Sequence, residues 1–500
     1  TLGTMVNSGD VNLRVIGSVL AQSGAGVNIR ANRLWIYTTS GIGTLRTAVS
    51  YLEGSGGTAS IWITNTGDLT VGFVDANKDI YLTTTGRLLG GSGNAVNISA
   101  NRFWFNADSG VGTQQSPLRT MVNYLAGTGR RGVINIINSG RLIIGGIGNG
   151  TGLQAGSGIN VTAESPLMVM DNLRSTGDIV LTAQDSSGLG DDITVRSGVS
   201  ITSSSGAVTL RAGDDIVIHP GSTIRAAGRV ILFADYGNAD AGVGSTVYIR
   251  GSITAQRLQI EGNNDNDVFY IATGSITCPV YVYGMGGSNL FVVKAQDFSS
   301  PMYMYGGNGD DRFDINGSGL KNKLVLDGRS GADAYNIRIS GAGRYTIDVT
   351  DTGNDGSTDK LTIRGSSSSN TFLLRRGFVA VGSGSNLTER INYNGNIELL
   401  EIYGEGGNNK FYLDDNSTHT KIYGGSGDNL FQIGQMYGFD RNSLGARASS
   451  YRDDVSTIQT TRGYLSNGIS YETYIFGGSG NDTFSVYSNK APLWLYGMGG

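Results

Sequence analysis

The stretch Gly262-Asn263-Asn264-Asp265-Asn266-Asp267-Val268-Phe269 decides the fold, because versions of it return throughout the second half of the chain. Three copies follow at a constant spacing of 22 residues, opening at Gly284, Gly306 and Gly328. Looser copies open at Gly365, Gly404, Gly424, Gly477 and Gly497. A fixed period near 20 residues is typical of a solenoid, in which each repeat is one coil stacked on its neighbours. The sequence therefore predicts an all-β, right-handed parallel β-helix or β-solenoid with coils of about 20–22 residues, which would make the chain a rod.

Apolar residues recur at four fixed positions around each motif, two and four residues before its first glycine and seven and nine residues after it. The column at seven is aromatic and consists of Phe269, Phe291, Phe313, Tyr335, Phe372, Phe411, Phe431 and Phe484. Thr420 and Thr473 are polar exceptions in the column at minus four. Because side chains alternate faces along a strand, the four columns predict one buried face. The aromatic column predicts an internal ladder of stacked rings.

The N-terminal part contains a larger duplication. Asn32-Arg33-Leu34-Trp35-Ile36 returns as Asn101-Arg102-Phe103-Trp104-Phe105, an offset of 69 residues. A second block returns at an offset of 73 and carries apolar residues at i, i+4 and i+7: Leu45, Val49 and Leu52, then Leu118, Val122 and Leu125. This spacing is that of one helical face and predicts a short helix in each copy.

The chain divides into five predicted segments. These are a β-helix over 1–152 with a duplicated module (copies about 27–73 and 96–146), regular β-helix coils over 153–261, repeats with glycine-rich corners over 262–433, an insertion or irregular coil over 434–472, and a solenoid over 473–500 that continues beyond the chain end. The last four residues match Gly284-Met285-Gly286-Gly287 and stop within a repeat. We therefore expect the chain to be a piece of a longer protein.

Composition disfavours several classes of function. The 500 residues carry a net charge of −4 and contain no basic run, which disfavours a nucleic-acid partner. The single cysteine, Cys278, leaves no internal disulfide and no cysteine metal site. The two histidines, His219 and His419, lie far apart in sequence, which disfavours a nucleophile–histidine set. No apolar run approaches the roughly 18 residues of a transmembrane helix.

The corner motif resembles the calcium-binding nonapeptide of repeats-in-toxin proteins, most clearly in Gly306-Gly307-Asn308-Gly309-Asp310-Asp311-Arg312-Phe313 and Gly477-Gly478-Ser479-Gly480-Asn481-Asp482-Thr483-Phe484. In that family tandem nonapeptides form a parallel β-roll, and the Asp of one turn shares Ca²⁺ with the turn beside it. The resemblance implies Ca²⁺ as a candidate cofactor, with candidate ligands Asp265, Asp267, Asp310, Asp311, Asp333 and Asp482.

Two departures from that family leave a second interpretation open. The motifs come once per 20-odd residues rather than every nine, so the paired half-site is missing. The Asp position is Asn in four of eight copies, and Asn is a weaker ligand for a hard cation. The alternative is a ladder of Asn and Asp side chains bonding their own corner backbone, as turn residues do.

The first 260 residues resemble the filamentous-haemagglutinin-type β-helix of large exported bacterial proteins. Asn65-Thr66-Gly67-Asp68-Leu69-Thr70-Val71 and Gly177-Asp178-Ile179-Val180-Leu181-Thr182 carry this resemblance. It implies export, an extracellular or cell-surface location, and a role in adhesion or surface fibres.

Aromatic residues also occupy the positions that alternation turns outward. This predicted partner or glycan surface consists of Tyr281, Tyr283, Tyr303, Tyr305, Tyr403, Tyr423, Tyr474, Trp494 and Tyr496. Such a stripe suits sugars, a protein partner, or lateral self-association of rods into a fibre. The alternative is that neighbouring strands favour aromatic pairs for their own stacking.

No catalytic set is evident, so the sequence favours a structural or adhesive segment of a secreted or cell-surface bacterial protein, and not an enzyme. The alternative is a carbohydrate-active β-helix enzyme, a polysaccharide lyase or glycosidase, which would need clustered carboxylates and basic residues. The adjacent pairs Asp191/Asp192, Asp214/Asp215 and Asp453/Asp454 are the nearest candidates. Neighbours on a strand point to opposite faces, so we interpret these residues as turn aspartates.

Overall fold

The computed structural model describes residues 1–22, 24, 26–93, 95–148, 151–272, 275–294, 298–341, 343–438 and 455–500. These residues form two compact units, Thr1–Glu261 and Gly262–Gly500. Strands dominate both units, and the helical content of the described residues is one 3-10 turn, Gly317–Gly319. Successive strands pair in parallel with strands of the next coil, which confirms an all-β parallel solenoid.

The described residues of unit 1 form 29 short strands. They are β1 Met5–Val6, β2 Val11–Val15, β3 Val19–Leu20, β4 Ile29–Arg30, β5 Arg33–Thr38, β6 Ile42–Ala48, β7 Tyr51–Ser55, β8 Ile61–Asn65, β9 Leu69–Asp75, β10 Asp79–Thr84, β11 Leu88–Gly90, β12 Ile98–Ala107, β13 Leu118–Gly129, β14 Val133–Asn138, β15 Leu142–Ile144, β16 Thr151–Ala155, β17 Gly158–Ala163, β18 Leu167–Val169, β19 Asn172–Ser175, β20 Ile179–Ala183, β21 Ile193–Val195, β22 Ser200–Ser203, β23 Val208–Ala212, β24 Ile216–Ile218, β25 Thr223–Ala226, β26 Arg229–Phe233, β27 Thr246–Ile249, β28 Ser252–Thr254 and β29 Arg257–Glu261.

Three parallel stacks run through the later coils of unit 1. One joins β17, β20, β23, β26 and β29, the second joins β18, β21, β24 and β27, and the third joins β19, β22, β25 and β28. In each stack the buried side chains lie in register, as with Val161, Leu181 and Leu210. Each coil therefore contributes three strands around one apolar core.

The two helices predicted near the N-terminus are wrong. Leu45 lies in β6 and Leu52 in β7, while Leu118, Val122 and Leu125 all lie in β13. The helix-like spacing arises because Leu45 and Val49 share a buried face with a polar residue between them, Thr47, and a corner then separates Val49 from Leu52. Alternation interrupted by a buried polar residue and a corner thus produces the same i, i+4, i+7 pattern as a helix.

Buried asparagines explain the polar residue in each copy of the duplication. Thr47 donates its hydroxyl to Asn65 Oδ1 at 2.8 Å, and the same oxygen accepts the Val49 N–H at 3.0 Å. In the second copy Asn138 makes the same two bonds with Thr120 and Val122, at 2.9 and 3.0 Å. Both asparagines are fully buried. The duplicated module therefore repeats a hydrogen-bonded corner as well as an apolar pattern.

In unit 2 the described part of the chain forms 21 strands and the 3-10 turn. They are β30 Val268–Ile271, β31 Val280–Met285, β32 Leu290–Val293, β33 Met302–Asn308, β34 Arg312–Asn316, β35 Leu324–Ser330, β36 Ala334–Arg338, β37 Tyr345–Val349, β38 Lys360–Arg364, β39 Thr371–Arg375, β40 Phe378–Ser383, β41 Asn386–Tyr393, β42 Leu399–Tyr403, β43 Lys410–Leu413, β44 His419–Tyr423, β45 Leu430–Ile433, β46 Ile458–Thr460, β47 Gly463–Leu465, β48 Thr473–Ser479, β49 Thr483–Val486 and β50 Leu493–Gly499.

The first coils of unit 2 contribute two strands each, joined by the glycine-rich corner. One stack contains β30, β32, β34 and β36, and the other contains β31, β33, β35 and β37. Equivalent corner residues are 22 positions apart, which confirms the predicted coil length. The predicted inward columns are buried here, including Phe291, Phe313 and Met304.

The aromatic column does not form one ladder, because the stacks exchange partners after β36. Tyr335 of β36 pairs with Leu361 of β38, not with Phe372. Phe372 begins a separate stack in which β39, β43, β45 and β49 follow one another. The predicted column is therefore two ladders of four rings: Phe269, Phe291, Phe313 and Tyr335, then Phe372, Phe411, Phe431 and Phe484. Strand β37, the last of the second stack above, and the loop 350–359 form a partial coil, and we call the resulting exchange of strand partners the phase shift.

Antiparallel strands and an irregular segment interrupt the later coils of unit 2. β40 pairs antiparallel with both β39 and β41, and β46 pairs antiparallel with β47. The hairpin of β46 and β47 lies in the predicted insertion 434–472, of which residues 439–454, including Asp453 and Asp454, are outside the described part of the chain.

Asn416 accounts for the two polar exceptions in the inward columns. Its Nδ2 donates to the hydroxyls of Thr420 and Thr473, each at 3.1 Å. Its Oδ1 accepts the Ser470 N–H at 2.7 Å and the Tyr471 N–H at 2.9 Å. Asn416, Thr420 and Thr473 are all buried. One asparagine thus satisfies polar groups on both sides of the irregular segment.

Candidate functional site

The corner Asn and Asp side chains of unit 2 form a one-way ladder. The N–H of Asp267 donates to Asn289 Oδ1 at 2.9 Å, and the N–H of Asn289 donates to Asp311 Oδ1 at 2.7 Å. The N–H of Asp311 donates to Asp333 Oδ1 at 2.7 Å, and that of Asp333 donates to Asp359 Oδ1 at 2.8 Å. Each of these four N–H groups therefore bonds a side-chain oxygen of the following coil, so these Asp oxygens are already engaged with backbone.

Asn and Asp differ in one terminal atom of the side chain, which is the donor Nδ2 in Asn and the acceptor Oδ2 in Asp. In a second ladder the N–H of Asn370 donates to Asn409 Oδ1 at 2.9 Å, and Asn409 Nδ2 donates to the carbonyl oxygens of Gly406 and Gly407 at 3.2 and 3.1 Å. Where Asp replaces Asn, an acceptor oxygen stands in the place of that donor. Oδ2 of Asp311 and Oδ2 of Asp333 are buried atoms with no hydrogen-bond donor.

Burial consequently raises the pKa of the ladder carboxyl groups. It raises the pKa of Asp311 to about 7, with the negative charge of Asp310 adding to the effect and the bonds from Asn289 opposing it. Burial and the neighbouring charges of Asp311 and Asp351 raise the pKa of Asp333 to about 8. A buried carboxylate without a cation favours its neutral form, which is why the pKa values of these two carboxyl groups are raised toward neutral pH.

Three carboxyl groups converge at the end of the first ladder. One oxygen from each of Asp333, Asp351 and Asp359 lies within 4.8 Å of one from each of the others, and all three residues are buried. We refer to these three residues as the carboxylate triad. No lysine, arginine or histidine forms an ion pair with it among the described residues. Burial first, and the charges of Asp351 and Glu398 next, raise the pKa of Asp359 to about 6.

Tyr335 fixes the triad to the aromatic ladder. Its ring stacks on Phe313 at 5.0 Å, and its hydroxyl donates to Asp351 Oδ2 at 2.6 Å. The same hydroxyl oxygen accepts the Gly328 N–H at 2.7 Å, and Asp351 Oδ1 accepts the Gly353 N–H at 2.7 Å. Burial and the Asp351 charge raise the pKa of the Tyr335 hydroxyl. Tyr335 is the one tyrosine of the predicted aromatic column, and its hydroxyl is bonded at the phase shift.

The structure brings only one of the six predicted calcium ligands into the triad. Asp333 belongs to it, and Asp311 is the adjacent rung of the ladder. Asp310 is exposed and accepts the Ala332 N–H at 2.8 Å. Asp482 accepts the Asn429 N–H at 2.9 Å in the second ladder. Asp265 and Asp267 lie at the first corner of unit 2, and Asp267 accepts the Asn263 N–H at 3.0 Å.

Sequence reasoning missed Asp351 and Asp359, because both lie outside the repeating columns. Asp351-Thr352-Gly353-Asn354-Asp355-Gly356-Ser357-Thr358-Asp359 places three aspartates at intervals of four residues in a turn-rich segment. Together with the single tyrosine of the aromatic column, that acidic loop is the sequence signal that points to the triad.

The predicted partner or glycan surface lies outside the core, but its rings stack on each other. Tyr281 stacks on Tyr303 at 4.7 Å, Tyr283 on Tyr305 at 5.2 Å, and Tyr403 on Tyr423 at 4.5 Å, with interplanar angles of 12° or less. Tyr423, Phe476 and Tyr496 continue the last of these stacks, and Tyr474 stacks on Trp494 at 6.0 Å. Trp494 and Tyr496 are 48% and 41% exposed, and the other rings less so.

Guanidinium groups cover ring faces at the ends of two stacks. The Arg329 guanidinium lies over the Tyr305 ring at 5.0 Å, and that of Arg364 lies over the Tyr403 ring at 4.2 Å. Sugars bind aromatic residues through open ring faces, which are covered in the interior of a stack. The arrangement therefore suits cross-strand stabilisation, with ring edges and hydroxyl groups left toward solvent.

The adjacent aspartates of unit 1 also bond backbone. Asp191 Oδ2 accepts the Ser186 N–H at 2.6 Å, and Asp214 Oδ2 accepts the Asp191 N–H at 2.8 Å. Asp192 accepts the Asp215 N–H at 3.1 Å, and Asp215 accepts the Thr246 N–H at 2.6 Å. These contacts are those of turn aspartates that link one coil to the next.

Comparisons with protein-family models, curated proteins and solved structures found no match to this chain. Among the described residues, no helix has the length and apolar character needed to cross a membrane.

Proposed function

We propose that the chain is a structural segment of a large secreted or cell-surface bacterial protein, where it acts as an adhesive fibre or spacer and catalyses no reaction. The single observation that carries this proposal is the stacking of identical side chains along the coils, inside and outside. Phe291 and Phe313 stack at 4.6 Å in the core, and Tyr281 and Tyr303 stack at 4.7 Å on the surface. Stacked rings thus join a coil to its neighbour both in the core and on the surface, which supports a scaffold role.

The partners in this proposal are other copies of the chain aligned side by side, or glycans and proteins of another surface. Contact would use the outer edges and hydroxyl groups of the tyrosine stacks, which are only partly exposed. The adjacent aspartates of unit 1 support the same proposal, because each of these carboxylates accepts a backbone N–H as turn aspartates do: Asp191, Asp192, Asp214 and Asp215.

Cell-surface labelling tests the location directly. Antibodies raised against the purified chain should label intact cells of the source organism, and external protease should remove the signal. Recovery of the protein only in the cytoplasmic fraction would refute the proposal. Incubation of the chain with a polysaccharide panel should release neither reducing ends nor unsaturated uronates.

One observation favours the enzyme alternative, a carbohydrate-active β-helix enzyme. A surface cavity of about 270 Å³ in unit 2 is lined by Lys294, Arg312, Asp314, Arg338 and Arg364. Four cations around one carboxylate suit an acidic polysaccharide. However, Asp314 Oδ1 accepts from Arg312 Nε and from Asn336 Nδ2, both at 2.9 Å, and the cavity lining contains no second carboxylate. Glycoside hydrolysis needs two.

The polysaccharide panel separates the two functions. Turnover of a uronate-containing polysaccharide that disappears in Arg338→Ala, and persists in Arg130→Ala of unit 1, would support the enzyme. Arg130 is a suitable control because it is an exposed arginine paired with Asp108 at 3.6 Å, outside this cavity. We expect no turnover by any of the three proteins.

A further inference from the structure

The carboxylate triad presents a problem of buried charge. Asp333, Asp351 and Asp359 are 1%, 0% and 5% exposed, and no cationic side chain pairs with them among the described residues. An isolated ionised carboxylate is too costly to bury, so such groups take up protons or bind a cation. The ladder alone does not require this cluster, because its other corners are completed by Asn as readily as by Asp.

One atom of the triad points to a ligand. Asp333 Oδ1 accepts the Asp311 N–H, but its Oδ2 is a buried atom without a hydrogen-bond donor. An ionised Asp351 has no proton to donate, and its two oxygens accept from Tyr335 and Gly353. A proton, a water molecule or a cation can satisfy Asp333 Oδ2, and of these the cation also compensates the three buried charges.

The spacing of the oxygens fits a cation. Calcium binds carboxylate oxygens at about 2.3–2.6 Å, so two of its ligands lie at most about 5 Å apart. The triad oxygens lie within 4.8 Å of one another. We propose that Asp333, Asp351 and Asp359 bind one Ca²⁺ ion at the phase shift of the solenoid, joining the end of the first corner ladder to the loop 350–359. Water would complete the coordination of so large a cation.

This site differs from the one that the nonapeptide resemblance implies. Two of its three ligands come from a loop that has no counterpart in the other coils, and the remaining corner aspartates do not join it. Ca²⁺ at the triad would fix the partial coil that changes the phase of the stacks. The role is structural and is independent of whether the chain acts at a cell surface.

The sequence supplies its own matched variants for the test. Asp311 and Asp333 occupy the same corner position 22 residues apart, and Asn already stands there at Asn289. Asp333→Asn removes a triad ligand while keeping the oxygen that accepts the Asp311 N–H. Asp311→Asn makes the same chemical change one rung away. Asp359→Asn is a second triad variant that likewise keeps the acceptor for the Asp333 N–H.

Calcium binding is measured on the full chain at pH 8 by calorimetry, after chelator treatment, with far-ultraviolet circular dichroism as the check of folding. We expect Asp333→Asn and Asp359→Asn to weaken one Ca²⁺ site at least tenfold and Asp311→Asn to leave it unchanged. Equal binding by the triad variants and the parent chain overturns the proposal. So does an equal loss in Asp311→Asn, or no binding by the parent chain at millimolar Ca²⁺.

Terbium luminescence gives a readout that a purely structural effect would not move. Tb³⁺ replaces Ca²⁺ at oxygen sites and is excited by a nearby tyrosine, and the Tyr335 hydroxyl is bonded to the ligand Asp351. Tyr335→Phe should lower the Ca²⁺-displaceable emission by at least half, whereas Tyr283→Phe, in a surface stack, should not. Emission that is unchanged in Tyr335→Phe contradicts a cation at the triad.

Discussion

Replacement of one interior ring should cost more than replacement of a ring at the end of its ladder. Phe313 is fully buried and stacks on two rings, Phe291 at 4.6 Å and Tyr335 at 5.0 Å. Phe372 is 1% exposed, and among the described residues the ring stacked on it is that of Phe411, at 4.8 Å. Leucine in either place removes similar apolar volume, but Phe313→Leu breaks two stacked pairs and Phe372→Leu breaks one.

Each stacked pair contributes about 0.5–1.5 kcal/mol beyond burial, so the two variants should differ by about 1 kcal/mol. Native-state hydrogen exchange with mass spectrometry measures this difference locally, as the free energy of opening of β34 in Phe313→Leu and of β39 in Phe372→Leu. About 1 kcal/mol corresponds to a roughly fivefold larger increase in the opening constant for Phe313→Leu. Equal losses, or a greater loss in Phe372→Leu, would refute the idea that ring stacking adds to burial in this core.

Three further predictions concern buried polar groups. In excess chelator, the carboxyl groups of Asp359, Asp311 and Asp333, with pKa values raised to about 6, about 7 and about 8, stabilise the fold when protonated. That stability is complete below the unfolded pKa of about 4 and is lost as pH rises through 6 to 8. The melting temperature should therefore fall between pH 5 and pH 8 and fall less in Asp311→Asn, and a rise over this range would contradict the assignment. Asn416→Ala should lower the free energy of unfolding, measured by urea titration, by about 3 kcal/mol or more, because it leaves several buried partners unsatisfied. The control Asn160→Ala, at an exposed position, should lower it by under about 1 kcal/mol. Arg375→Met should cost about 3–5 kcal/mol because it leaves Asp414, its buried partner at 2.9 Å, without that guanidinium. Adding Asp414→Leu should restore part of the loss, and a double variant no more stable than Arg375→Met would count against the ion pair.

The repeat period and the inward columns were readable from the sequence because they depend on local alternation. Met304, Phe291 and Phe313 recur at fixed distances from a glycine corner, and parallel pairing in register follows from that regularity. The Asn and Asp ladder was also available as an interpretation, since these residues bond backbone in turns. The choice between a ladder and a metal site depended on the surroundings of Oδ2 in each aspartate, and only the packed structure shows them.

The phase shift could not be predicted from the sequence, because it depends on which strands pair after the long interval between the motifs at Gly328 and Gly365. Column counting aligned Tyr335 with Phe372, whereas the chain pairs Tyr335 with Leu361. The helix prediction failed for a related reason. Buried Thr47 reads as a solvent-facing residue until its partner, Asn65, is known, and that partner lies 18 positions away.

The corner ladder has a direction, which determines where damage appears. The N–H groups of Asp267, Asn289, Asp311 and Asp333 each bond a side chain of the coil that follows in sequence. One position earlier in the corner the direction is reversed, and the Ala332 N–H bonds Asp310 of the preceding coil. Removing the Asp333 side chain leaves the N–H of Asp311 without its acceptor. The N–H of Asp333 keeps its acceptor on Asp359. The direct loss at this position therefore appears one coil toward the N-terminus. During synthesis, the N–H at this position lacks its acceptor until the ribosome has delivered the next coil, whereas the N–H one position earlier finds its acceptor in the coil already made.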